Sequence, residues 1–206
     1  MKNASWAQAL GAFAIESHAL SQMADFLDKK SFMSAVKLLA KAPRIAMSGC
    51  GHSGIACMHF AHLMCCIERP ARFISPAEAI HGGSGFLQAE DVMVVASRGG
   101  KTPELIPIVG ICREKKVNVI CITENQKSPL GLKSDIVLGI TITRETDRDN
   151  QQGTTSFTVM SVLFHALQAA LIEEIDYHKE QFALIHPGGA VGERLNRKNL
   201  KTRKTT

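Results

Sequence analysis

Three short stretches set glycines and small hydroxyls where an apolar run hands over to a helix. They are "GCGHSG" (49–54), "SRGGKT" (97–102) and "GTTS" (153–156). A glycine-rich turn into a helix start offers bare backbone N–H groups at the positive end of the helix dipole, which suits one phosphate. In the second stretch Ser97, Gly99, Gly100 and Thr102 precede Pro103, so hydroxyls and N–H groups can converge as an anion nest. Thr102 could also cap the helix that follows, with proline in its first turn. The two roles are compatible, because a cap hydroxyl can move to a ligand. The first stretch equally permits a tight turn made for packing. It invites comparison with a dinucleotide-binding turn, but Ser75-Pro76 stand where an acidic residue would hold a ribose. The Gly-Lys-Ser/Thr ending of a nucleotide P-loop is absent from it.

Such turns matter only if a scaffold brings them to one edge. Short runs rich in Val and Ile, "RIAMS" (44–48), "ARFIS" (71–75), "DVMVVAS" (91–97), "VNVICIT" (117–123) and "DIVLGITIT" (135–143), read as strands buried on both faces. Helical patterns separate them, at 53–67 and 103–116, with two helices before (3–27 and 30–41) and a long one after (154–175). Strand then helix, repeated, predicts an α/β fold: a doubly wound three-layer sandwich around a five-stranded parallel sheet. Residues 1–43 supply N-terminal helices, 44–195 the core, and 196–206 a basic flexible tail, all as one domain. The segment 177–195 reads as an irregular return. In this architecture ligands sit beyond the carboxyl ends of the strands, where all three turns would lie.

Composition narrows the function classes. The net charge of +5 arises at the end of the chain: from Arg194 onward there are six of the 24 basic residues and no acidic one, leaving 18 against 19 acidic. A body near neutrality has no basic face for nucleic acid. No run approaches a membrane span, and Glu16 and His18 interrupt the apolar start, which fits an amphipathic helix better than a signal peptide. Six cysteines without C-x-x-C spacing read as reduced thiols of a cytoplasmic protein.

The chain resembles the sugar isomerase (SIS) domain family, and within it the arabinose 5-phosphate isomerases. The resemblance runs from about residue 10 to 195 and is carried by "PAEAIHGGSGFL" (76–87), "VICIT" (119–123) and "HPGGAVGERL" (186–195). It implies a phosphosugar ligand, a dimer or tetramer, and aldose–ketose isomerisation through an enediol with no metal or cofactor. The family's phosphate loop, Ser-x-Ser-Gly-x-Ser/Thr, is matched by Ser97-Arg98-Gly99-Gly100-Lys101-Thr102, with one hydroxyl lost at Gly99. Ser53 matches a phosphate-side serine. Glu104, Glu145 and His186 fall at acid–base positions, and His81 at the histidine of an Ala-His-Gly segment. His52 stands where these isomerases place a lysine. Lysine is a fixed cation at neutral pH, whereas a free imidazole, titrating near ~6.5, is mostly neutral.

Plainer readings stand beside these. Glu104 could simply complement a helix dipole, and Glu145 could be a solvated carboxylate in "RETDRD". His59 and His62 read as packed or capped, and Cys50, His52, His81 and His186 lack the tight spacing of a dedicated zinc site. The loss of the lysine keeps two alternatives open: a non-catalytic phosphosugar sensor, or an SIS enzyme of other chemistry such as a hexulose phosphate isomerase or an amino-sugar phosphate lyase. The isomerases commonly continue past "HPGG" into paired CBS modules, which this sequence does not include. The apolar start "WAQALGAFAI" is expected to pack between subunits.

Overall fold

Each apolar run becomes a strand: β1 (Ile45–Gly49), β2 (Ala71–Phe73), β3 (Val92–Ala96), β4 (Asn118–Thr123) and β5 (Ile136–Gly139). The computed structural model describes the backbone of residues 2–202 and the side chains of residues 4–196. All strand pairs are parallel, in the order β2-β1-β3-β4-β5. Side chains alternate along each strand, so one sheet feeds two cores. On β3, Val92, Val94 and Ala96 enter one and Met93 and Val95 the other.

The first core is covered by α1 (Lys2–Phe26), α2 (Lys29–Lys41), α3 (Gly51–Cys65) and α7 (Thr154–Glu174). Phe60 of α3 and Phe164 of α7 stack there with ring centroids 4.3 Å apart. The second lies under α4 (Pro76–Ile80), α5 (Ile106–Glu114) and α6 (Pro129–Leu132). The three-layer sandwich with its five-stranded parallel sheet is therefore as the periodicity predicts. The helix expected at 103–116 opens instead as a 3-10 turn, Pro103–Leu105, before α5.

Two expectations need correction. Residues 177–195 are not irregular: α8 (Lys179–Ile185) and α9 (Gly189–Thr202) fold there. His178 caps α8 in a reciprocal box with Gln181, and Asn196 Nδ2 donates to the carbonyls of Ala183 and Gly192 to hold α9 on α8. Helix continues to Thr202, into the segment expected as a flexible tail, whose last four residues lie outside the described residues. Finally, α7 does have the length and apolar composition of a membrane span, with half of its most apolar window buried. Val159, Leu163, Phe164 and Leu167 fill the core between α1, α2 and α3, which accounts for that composition.

The described cysteines are free thiols. Burial pushes Cys112 and Cys121 up to about 12, and Cys57 further in the same direction. Cys50 and Cys65 are exposed.

Candidate functional site

The strand register brings the turns together. Gly49 pairs with Ala96, and Ala96 with Ile122. The exits of β1, β3 and β4 therefore lie side by side at the usual strand spacing of about 4.8 Å. The turn after β1 needs its glycines: a Cβ on Gly54 would lie 2.6 Å from the Gly49 carbonyl oxygen, so the α3 start rests directly on the strand end. No side chain caps α3, whose N-cap is Cys50. Ser53 sits half-buried in its first turn. Burial, and then the Glu104 carboxylate, push the Cys50 thiol above its ordinary value. Glu104 itself is exposed, in the 3-10 turn before α5.

The turn after β3 is held from below. Ser97 N–H donates to Ile122 O, Glu124 N–H and Thr123 Oγ1 both donate to Arg98 O, and Leu130 N–H donates to Gly100 O. Gly100 has φ +66°, and a Cβ there would overlap Ser128 Oγ. Ser97 Oγ lies 2.7 Å from Thr102 Oγ1 and accepts from Gly100 N–H at 3.1 Å. Thr102 holds the N-cap position of the Pro103–Leu105 turn, but its hydroxyl makes no capping bond and turns back toward Ser97. Gly99 is exposed and has room for a side chain, so packing does not explain the missing hydroxyl there.

The start of α7 departs most from expectation. Glu145 is fully buried rather than solvated. Arg98 Nη1 donates to its Oε1 at 2.7 Å, Ser156 Oγ to the same oxygen at 2.6 Å, and the Ser156 N–H to Oε2 at 3.1 Å. Thr154 Oγ1 adds a longer contact to Oε2 at 3.3 Å. The anion at this helix N-terminus is therefore the protein's own carboxylate, and "GTTS" does not offer a free phosphate site. Arg98 also pairs with Glu124 at 2.9 Å, so one guanidinium ties the β3 turn to both the β4 exit and the α7 start. Sequence reasoning missed Arg98. It also missed Asp147, whose carboxylate accepts from the N–H groups of Asp149, Gln151 and Gln152 and shapes the loop into α7. These contacts, with Gln152 foremost, hold that carboxyl below the ordinary aspartate range. The dense "TDRDN" run was the signal that could have found it.

His52 is exposed and leans across to α7, its ring edge-on to Phe157 with centroids 6.0 Å apart. A Cβ on Gly153 would lie 3.3 Å from the imidazole. His81 ends α4, which packs against the Pro103–Leu105 turn, so its element adjoins that of Glu104. His186 is elsewhere. The 21 residues of α7 span about 30 Å, and α8 then ties back through Gln181 to Glu68, after the far end of α3. Within one chain His186 lies at the opposite pole, beside Phe182. Of the expected residues, the fold gathers Ser53, Ser97, Gly99, Gly100, Thr102, His52, Glu104 and Glu145 at the strand ends and sets His81 beside them. Among the described residues no cluster of three or more His, Cys, Asp or Glu is placed to hold a metal ion, and the distance of His186 disperses the set Cys50, His52, His81 and His186.

Comparison with known proteins identifies the family. The model of the SIS domain matches residues 38–170. The chain belongs to the SIS domain family. Arabinose 5-phosphate isomerase KdsD of Pseudomonas aeruginosa is 35% identical over 158 residues, 77% of this chain and 48% of that protein. KpsF of Escherichia coli, an arabinose 5-phosphate isomerase, is 31% identical over 183 residues, 88% of this chain and 56% of that one. The chain thus spans about half the length of the curated relatives it matches. A solved SIS-fold structure from Listeria monocytogenes, provisionally assigned as a sugar-phosphate isomerase, is 33% identical with a TM-score of 0.88, over 91% of this chain and 99% of that one. An Escherichia coli CFT073 protein solved in complex with arabinose 5-phosphate gives a TM-score of 0.84 at 25% identity, over 91% and 100%.

Proposed function

We propose that this SIS protein binds a sugar phosphate at the β1 and β3 exits and interconverts its aldose and ketose forms. The observation that carries the reading is the turn 97–102. The Ser97 and Thr102 hydroxyls meet there on a fixed glycine turn, beside an α3 start without a side-chain cap and the exposed Glu104 carboxylate. The phosphate takes the turn 97–102 and Ser53, which leaves the sugar's reacting carbons toward Glu104, His52 and His81. An enediol route needs a base that shuttles a proton between adjacent carbons and acid–base groups for the two oxygens. Glu104 is the group free to be that base, because Glu145 is occupied by Arg98 and Ser156. Glu145 acts through the Arg98 hub, holding the phosphate turn in register with α7.

The test is direct binding. Losing one hydrogen bond to a charged ligand costs about 1.5–3 kcal/mol, so Thr102→Ala should raise the dissociation constant for arabinose 5-phosphate about tenfold or more. An unchanged constant would remove the turn from the site. The sugar without phosphate should bind poorly to both proteins.

The same reading includes self-assembly. Trp6, Leu10 and Phe13 recur at helical spacing on α1 and are 67%, 51% and 74% exposed. A groove between α1 and α7, lined by Leu20, Met23, Val159 and Val162, adjoins the same helix. A second copy covering this stripe removes it from water, and His186, remote from its own site, then becomes available to a neighbour's. Light scattering at micromolar concentration should return a dimer or tetramer. A monomeric mass would rule the assembly out.

A further inference from the structure

Outside the candidate site, three of the chain's eight histidines meet on one exposed seam. His59 and His62 of α3 are exposed rather than packed or capped, as is His165 of α7. The Nε2 atoms of His59 and His165 stand 3.1 Å apart, with rings edge-on at 86°. The seam is rigid: directly beneath, the neighbouring residues Phe60 and Phe164 stack in the core, and Gln168 Nε2 donates to Leu63 O at 2.8 Å across the same two helices. One turn further along α3, His62 Nε2 lies 3.6 Å from Cys66 Sγ.

Two imidazoles brought nitrogen to nitrogen have two uses. They can share one proton, or they can share one metal ion. Nitrogen–metal bonds of about 2.0–2.1 Å put adjacent ligand nitrogens roughly 3–3.4 Å apart, the separation present here. We propose that His59 and His165 form a surface site for a late first-row divalent cation of the zinc, nickel and copper class. Water completes the coordination. Imidazole donors select these ions over magnesium and calcium, which prefer oxygen. Since α3 and α7 both begin at the candidate site, an ion joining them braces the site from behind.

The experiment uses the untagged full chain, stripped with a chelator and titrated calorimetrically with nickel at pH 7.5. Wild type should bind one ion per chain at this site and gain thermal stability as nickel is added. His59→Gln and His165→Gln should each weaken that binding about tenfold or more and abolish the thermal gain, while the double variant should bind no more tightly than either alone. Magnesium should give no heat. Both side chains are exposed, so each variant should keep its wild-type circular dichroism without metal. Nickel affinity unchanged in both single variants would overturn the proposal, as would its loss in Cys50→Ser/His52→Gln with the seam intact.

Discussion

Glu145→Ala should lower the unfolding free energy by about 3 kcal/mol, the usual scale for removing one member of a buried, hydrogen-bonded ion pair. The buried carboxylate accepts from Arg98, Ser156 Oγ and the Ser156 N–H, and its removal strands the start of α7 as well as part of the Arg98 hub. Arg98 is 40% exposed and keeps Glu124, so its own truncation should cost less. Urea denaturation of both variants checks this. A Glu145→Ala value within about 0.5 kcal/mol of wild type would mean that the carboxylate is no lock. Glu104 gives the contrast. It is exposed and outside any ion pair in the described structure, so Glu104→Gln should leave stability within about 0.5 kcal/mol. Turnover of the pentose phosphate should meanwhile fall roughly 10²–10⁴-fold. Two carboxylates that look alike in the sequence should fail in opposite ways.

The other large effect is expected at His52. If a fixed cation is what the family position supplies, His52→Lys should raise turnover of a pentose phosphate at pH 7.5. An imidazole that serves as acid or base for a different sugar should behave otherwise. Both His52→Lys and His52→Ala would then lower the native activity, alanine by roughly 10²–10⁴-fold. A sensor would show no turnover in any variant and only shifts in affinity. His52 leans on Phe157 and Gly153, and the edge-on aromatic contact fixes its ring without burying it. We expect an isomerase with altered substrate preference, because Glu104 and His81 remain beside it. Full activity in His52→Ala would sink both catalytic readings.

The two carboxylates also mark where sequence reading stops. Strands were legible because residues buried on both faces leave continuous apolar runs, as in 92–96 and 118–123. The turn 97–102 at a strand exit was legible because glycine and hydroxyl types are local signals. Burial of Glu145 was not. Its determinant is Arg98, 47 residues away, and nothing near "RETDRD" tells a solvated carboxylate from a locked one. Arg98 itself lay in the quoted turn as one more surface cation, because its partners come from other strands. The same applies to α8, which is only seven residues long and has no buried face to impose a period. The metal-class seam joins residues 106 apart and depends on how α3 and α7 cross.

The four backbone and hydroxyl ties from β4 and α6 to the turn 97–102 have a consequence for how preference can change. On the reading proposed above, a grip built this way is already in shape before anything enters it, and it reads only the end that every phosphosugar has in common. The same reading leaves recognition of the rest of the molecule to side chains mounted on separate elements, His52 on α3 and His81 after α4. Handle and cargo are thus inspected by different parts. A single exchange such as lysine to histidine can redirect the choice of sugar while the hold on phosphate stays intact.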